Sequence, residues 1–193
     1  MEQKKGFTLP AKPLKAAQYF QAKRDVRFYL NGILVDKAGF IVAGNGHVLI
    51  RIESADAAHL DESVIVDVIG NIPQKADLAE FVFAQDDSGI VKFASNFGRS
   101  VQSNGRDCMC SFRLIYGKYP DYQKVFKKAK PKSVANIGIN TNYVALIGKA
   151  AEVLGGNRYS GGEFIFRGQH DAIEVVLKCP NYSAHALIMP TRI

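Results

Sequence analysis

Three cysteines and four histidines are the residues in this chain best suited to metal or nucleophilic chemistry, and their spacing supports neither. Cys108 and Cys110 are two apart, so on a strand they share one face, and Cys179 is remote. A tetrahedral metal site needs ligand pairs separated by two residues and a second pair, which His47, His59, His170 and His185 do not supply. An odd, sparse set of cysteines is a poor disulfide framework and fits a reducing compartment. Gly44-x-Gly46 is a fragment of a dinucleotide fingerprint, but strand-like sequence continues on both sides where a third glycine and a helix should follow. Asp86-Asp87 reads as a hairpin turn. Asp56, Asp61 and Glu62 surround His59 in a polar loop, where solvated charge is the simpler reading. No serine or cysteine has an evident base and orienting partner. The expectation is a protein with no catalytic residues, no metal and no cofactor.

Charge is the stronger chemical signal. Net charge is +7, and Lys118, Lys124, Lys127, Lys128, Lys130 and Lys132 cluster against Asp121 alone. A second basic group, Lys4, Lys5, Lys12, Lys15, Lys23 and Arg24, lies near the N-terminus. Such surfaces attract polyanions without sequence preference, although a solvated linker and a solvated helix face would carry the same charges. The 193 residues, 47% of them hydrophobic, suffice for one ordinary domain or two small ones with a real core. Collagen-like, mucin-like and wholly disordered classes are excluded by composition. No apolar run approaches the roughly 20 residues of a membrane helix. The longest, Gly32 to Ala43, is cut by Asp36-Lys37, and the N-terminus lacks the apolar centre of a signal peptide. A soluble, cytoplasmic protein with no membrane partner is expected.

The elements that must position these residues follow from periodicity. Pro13 to Arg24 predicts a helix, with Leu14, Ala17 and Phe20 on one face and lysines opposite. Strand-like runs cover Arg27 to Val35 and Phe40 to Ile52, the second with a tight turn or bulge at Asn45-Gly46. Ser63 to Val68 is a short apolar strand. Phe81 to Arg113 stays strand-like, with turns at Asp86 to Gly89, Asn96 to Gly98 and Asn104 to Arg106. After the lysine-rich segment come a short strand, Ala135 to Ile139, a cap at Asn140 and a helix from Thr141 to Leu154. Tyr143, Ile147, Ala150 and Leu154 form its stripe, and Gly155-Gly156 ends it. Strands follow at Glu163 to Arg167, Ala172 to Lys178 and Ser183 to Met189. The recurring order of strand, helix and strands suggests repeated units joined through antiparallel sheets.

Five segments, in order, resemble the bacterial beta sliding clamp, the beta subunit of DNA polymerase III. Arg24-Asp25-Val26-Arg27-Phe28-Tyr29-Leu30-Asn31-Gly32 is similar to the opening strand of that clamp's middle domain. Val42-Ala43-Gly44-Asn45-Gly46-His47-Val48-Leu49 resembles the family's Ala-Thr-Asp-Gly-His-Arg-Leu stretch. Tyr119-Pro120-Asp121-Tyr122-Gln123-Lys124-Val125 resembles its Phe-Pro-Asp-Tyr linker, and Ile139 to Tyr143 a helix start in its last domain. His185-Ala186-Leu187-Ile188-Met189-Pro190-Thr191-Arg192-Ile193 looks like the ending Val-Met-Pro-Met-Arg-Leu. The resemblance covers about half of a family member. The first domain and the first half of the last domain have no counterpart. Asp67 to Ala79, where the family has a basic helix, carries Gly70, Pro73 and only Lys75 as a cation.

This resemblance implies an α+β fold of DNA-clamp type, with antiparallel sheets and helices on one face. Residues 1–117 would form a complete domain like the middle one, 118–132 a lysine-rich linker, and 133–193 half of the last domain. It further implies a pocket for short peptide motifs. The positions matching the family's pocket are Leu30, Gly44, Gly46, His47, Val48, Leu49, Pro120, Lys124, Val125, Asn140, Tyr143, Leu187, Met189, Pro190, Thr191, Arg192 and Ile193. Val48 stands where the family has arginine and Thr191 where it has methionine, so peptide preference should differ. DNA contact, weak and independent of sequence, would fall to Lys12, Lys15, Lys23, Arg24, Lys149 and Arg158. The implied function is a processivity or tethering factor that binds polymerases or repair proteins through a clamp-binding motif and encircles DNA as a homo-oligomer. The alternative is a monomeric module that captures such peptides and competes with a host clamp. A shortened gene of this kind would suit a prophage or other mobile element.

Overall fold

Apolar side chains alternate along many of the strands, so one face of the sheet is buried throughout and the other is covered only in part. The computed structural model describes residues 6–85, 87–95, 99–103, 106–126, 130–155 and 161–191. In chain order the elements are β1 (Phe7–Pro10), α1 (Ala11–Gln18), β2 (Ile33–Asp36), β3 (Phe40–Gly44), β4 (Val48–Glu53), β5 (Val64–Ile69), β6 (Leu78–Gln85) and β7 (Ser88–Ala94). There follow β8 (Gln102–Ser103), β9 (Arg106–Asp107), β10 (Met109–Leu114), α2 (Thr141–Val153), β11 (Gly162–Ile165), β12 (Ile173–Lys178) and β13 (Ser183–Ile188). Among the described residues, eleven strands pair antiparallel in the order β1-β6-β7-β10-β5-β2-β3-β4-β13-β12-β11, and β8 and β9 form a separate ribbon. The expected α+β, antiparallel architecture is what forms.

Both helices lie on one face. Leu14, Ala17 and Phe20 of the first helical region and Ile147, Ala150 and Leu154 of the second are buried with the inward residues of the strands. Phe112 sits at the centre of that core, edge-on to Phe81 and Phe83 at 5.0 and 5.1 Å. α1 packs beside α2. The opposite face carries a smaller core of Leu30, Leu34, Val42 and Ile65, closed by Tyr119 and Tyr122 from the segment after β10. On β2, Ile33 and Val35 point to the helices while Leu34 points the other way, as a period of two requires.

Local polar chemistry explains where the structure departs from the periodicity. α1 begins earlier than predicted and ends at Gln18, not Arg24. Beyond it, the Asn31 side chain accepts from the Asp25 amide (2.9 Å) and donates to the Asp25 carbonyl (2.9 Å). This closes a loop in which Arg24 is left-handed (φ 56°) and Phe28–Asn31 form a 3-10 turn rather than strand. The predicted strand at 135–139 reduces to one bridge between Gly138 and Thr191. α2 matches its prediction, with the Asn140 side chain accepting from the Asn142 amide at 3.0 Å. Between β5 and β6 there is no helix: Gly70 is at φ 131°, and Gln18 of α1 donates to the Gly70 carbonyl (2.7 Å) and accepts from the Ile72 amide (3.2 Å). The expected turn at Asn96 to Gly98 lies outside the described residues, as do Asp86 and Asn104-Gly105 of the other two.

On the face away from the helices, β12 and β13 carry a polar cluster. Glu174 is buried, accepts from Arg167 at 2.5 Å, and lies 2.9 Å from Nδ1 of His185. Burial alone would raise the Glu174 pKa, but hydrogen bonds from His185 and Arg167 outweigh it and hold the carboxyl below its ordinary value. A carboxylate whose folded pKa is depressed stabilises the fold above its unfolded pKa, and loses that contribution as pH falls through the folded value. Urea midpoints should therefore drop between about pH 5 and about pH 3 more steeply in the wild type than in Glu174→Gln. The variant should also be less stable at neutral pH, because the buried carboxylate's ion pair with Arg167 and its contact with His185 are lost. Equal acid slopes would show that this cluster does not set the acid response.

Candidate functional site

β4 and β13 meet in register, with Val48 opposite Ile188, Leu49 opposite Leu187, Arg51 opposite His185 and Ile52 opposite Ala184. Val48, Ile50, Ala186 and Ile188 face the helix side and are buried. Leu49 and Leu187 therefore face the other way, side by side on the seam. The ladder is prolonged where the Met189 amide donates to the His47 carbonyl at 2.8 Å. The turn that feeds β4 is built by Asn45, whose side chain accepts from the His47 amide (2.9 Å) and the Val48 amide (3.0 Å). Gly46 there has φ 90°, and a Cβ on it would lie 2.7 Å from the Arg27 guanidinium. Glycine is thus favoured by the positive φ of the turn, while the exposed Arg27 head lies over it.

The second wall comes from residues 119–126. Tyr119 and Tyr122 are buried, and the Tyr122 hydroxyl donates to Asp36 Oδ2 at 2.6 Å. Burial, reinforced by the Asp36 carboxylate, pushes the Tyr122 pKa up to about 12. Burial would raise the Asp36 pKa, but donation from Tyr122, the Ala38 amide and Ser63 holds it lowered. Tyr122–Val125 form a single 3-10 turn whose Lys124 and Val125 project toward the seam. Phe126 then returns to the sheet, where the Arg51 guanidinium lies 4.1 Å from its ring centre and His185 meets it edge-on at 6.3 Å.

Between seam and strap lies a groove of about 460 Å³. Leu30, Leu49, Leu187 and Met189 give it an apolar floor, and Met189 is 44% exposed within it. Arg27, His47, Asp121, Lys124, His170, Asp171 and Ala172 also line it. The Arg27 guanidinium is held by Asp25 (2.7 Å) and the Asn45 carbonyl (3.2 Å), and its hydrogen bond draws the Asp25 pKa down to about 2. An extended apolar segment with a few polar groups is what such a cleft can hold.

Of the positions predicted from sequence, Leu30, Gly44, Gly46, His47, Val48, Leu49, Pro120, Lys124, Val125, Leu187 and Met189 converge here. Tyr143 stands beyond the lining, stacked on His47 with ring centres 6.2 Å apart, and Asn140 is the cap of α2. Pro190 and Thr191 line a small adjoining hollow with Gln169 and His170. Arg192 and Ile193 lie outside the described residues. Sequence reasoning missed Arg27, Tyr29, Tyr119, Asp121 and Tyr122, although all five stand inside the segments that carried the resemblance. It also missed the His170 loop, which no local signal marked.

The predicted DNA contacts are less coherent. Lys15 is 4% exposed and donates to Asn71 Oδ1, so it is committed to the protein interior. That corrects its assignment to phosphate binding. Its ammonium lies 4.7 Å from the Tyr19 ring, and burial lowers its pKa. Lys12 pairs with Asp77 at 2.8 Å. Lys23, Arg24 and Lys149 are exposed, and Arg158 lies outside the described residues.

No protein-family model matches the chain. The Beta sliding clamp of Escherichia coli K12 is 32% identical over 135 residues, which is 65% of this chain and 35% of that protein. The Beta sliding clamp of Buchnera aphidicola from Acyrthosiphon pisum is 26% identical over 159 residues, 81% of this chain and 41% of its own length. The chain thus spans about a third of the length of the curated relatives it matches. Among solved structures, the DNA polymerase III beta chain of Streptococcus pneumoniae superposes with a TM-score of 0.61 at 12% identity, over all of this chain and 66% of that one. The Helicobacter pylori beta clamp gives 0.60 at 11% identity, over all of this chain and 67% of that one. Over 65% of its length, then, this chain is a distant homologue of the bacterial beta sliding clamp, and its fold is the clamp's.

Proposed function

We propose that the protein is a clamp-like tethering factor without catalysis of its own. It holds short peptide motifs of DNA polymerases or repair proteins in the groove at the β4–β13 seam, and it works on DNA as a homo-oligomeric ring. The domain plan proposed with it is a complete unit at 1–117, a lysine-rich linker at 118–132 and a half-unit at 133–193. One observation carries the reading: residues near 30, 47, 120, 187 and 189 converge on a single apolar groove. Those residues lie in segments that resemble the clamp family, and the groove suits an extended apolar peptide.

A second reading is supported by the cations. Among the described residues, with Lys15 buried and Lys12 paired to Asp77, the predicted DNA-contact set leaves Lys23, Arg24 and Lys149 exposed. Counterion release from so few charges is small. That favours a monomeric module that captures clamp-binding peptides.

Both readings require peptide binding. A fluorescent clamp-motif peptide should show saturable anisotropy, and Met189→Ala should weaken it roughly tenfold by removing apolar contact at an exposed position. No binding at about 100 µM protein, where millimolar affinities begin, would overturn both readings. Light scattering on a sizing column separates them. A single oligomer stable to dilution supports the ring, and a monomer at every concentration supports the peptide-capturing module.

A further inference from the structure

The strap that walls the groove contributes Lys124 and Val125, yet neither is held by burial: the Lys124 side chain is 82% exposed and Val125 is 46% exposed. Their position is inherited from the residues on either side. Upstream, Tyr122 is anchored by its hydroxyl to Asp36 and packs edge-on to Phe40 at 6.4 Å. Downstream, Phe126 lies over the seam, with the Arg51 guanidinium 4.1 Å from its ring centre. The same guanidinium is 5.1 Å from the ring of Phe40. Arg51 is therefore close to an aromatic ring of the sheet and to one of the strap, and Phe40 meets both Tyr122 and Arg51. His185, the cross-strand partner of Arg51, meets Phe126 from the side and is itself held by Glu174, which Arg167 binds in turn.

We propose that Arg51 is a positioning residue for the groove, fixing the downstream end of the strap through Phe126 so that Lys124 and Val125 stand opposite the Leu49–Leu187 seam. This rests on the peptide-binding reading above. Arg51 does not line the groove, so it acts on a bound peptide only through Phe126. A guanidinium this close to a ring centre gives cation–π attraction, and its flat face can cover the ring in a way that lysine's compact ammonium cannot. Losing that anchor lowers the fraction of molecules with the wall in place, and apparent affinity falls by the same factor.

Two measurements test this on the full chain. In the peptide anisotropy assay, Arg51→Ala should bind about tenfold more weakly than wild type, and Arg51→Lys should fall between them. Phe126→Ala should lose as much, and the double variant no more than either single one, because both act through one contact. Hydrogen exchange, read without peptide, should accelerate in Arg51→Ala at the amides of 122–126 while the amides of β4 and β13 keep their protection. Arg51→Ala affinity within twofold of wild type, multiplying losses in the double variant, or unchanged exchange in the strap would each overturn the proposal. Accelerated exchange throughout β13 would do the same, by showing a general role in the seam. Wild-type protein that fails to bind peptide removes the functional reading instead, and exchange still decides whether Arg51 holds the strap.

Discussion

The ladder between β4 and β13 is the constraint on which the rest depends. It joins residues 48–52 to residues 184–188, and without it β11, β12 and β13 would have no sheet to extend. α2 rests on the inner side of those strands, and its place beside α1 follows from the same register. The outer side of the ladder is the floor of the groove. A slip of β13 by one residue along β4, which β3 holds in place, would turn Leu187 into the helix-side core and bring Ala186 and Ile188 to the groove side. The hydrophobic demand of one face thereby fixes the groove on the other.

The two faces are stabilised by different means. The inner face relies on bulk apolar burial, with Phe20, Phe81 and Phe112 almost wholly covered by the helices and neighbouring strands. The outer face is covered by a short strap, so it depends on directed contacts: a tyrosine hydroxyl on a carboxylate, a guanidinium close to two rings, and a buried glutamate shared by arginine and histidine. Such contacts constrain geometry tightly while contributing modestly to stability. A binding wall requires that balance more than a core does.

Much of this was legible in the sequence. The strands of both halves read from alternation, and α2 read from its cap and its stripe of Ile147, Ala150 and Leu154. The early end of α1 was hidden, because it depends on Asn31 reaching back to Asp25, a side-chain preference that periodicity does not register. Lys15 looked like one more solvent-facing cation. Its burial depends on Asn71, more than fifty residues away in a crossing that carries no pattern of its own. Most of the groove could be named from resemblance, whereas the His170 loop and the Arg51–Phe126 contact could not. Those contacts follow only from which strands become neighbours, and that is a property of the whole sheet.

The distance along the chain between the two seam strands has a consequence for the order of events in synthesis. β4 is complete by Glu53, but its partner begins at Ser183. Until the ribosome has passed that point, one side of β4 has no neighbour and the groove has only one of its flanks. Non-local pairings of this kind also carry the largest loop-closure entropy and form last. A nascent or truncated chain can therefore build much of the sheet and still lack the proposed groove, whose second flank exists only once β13 has been made and paired.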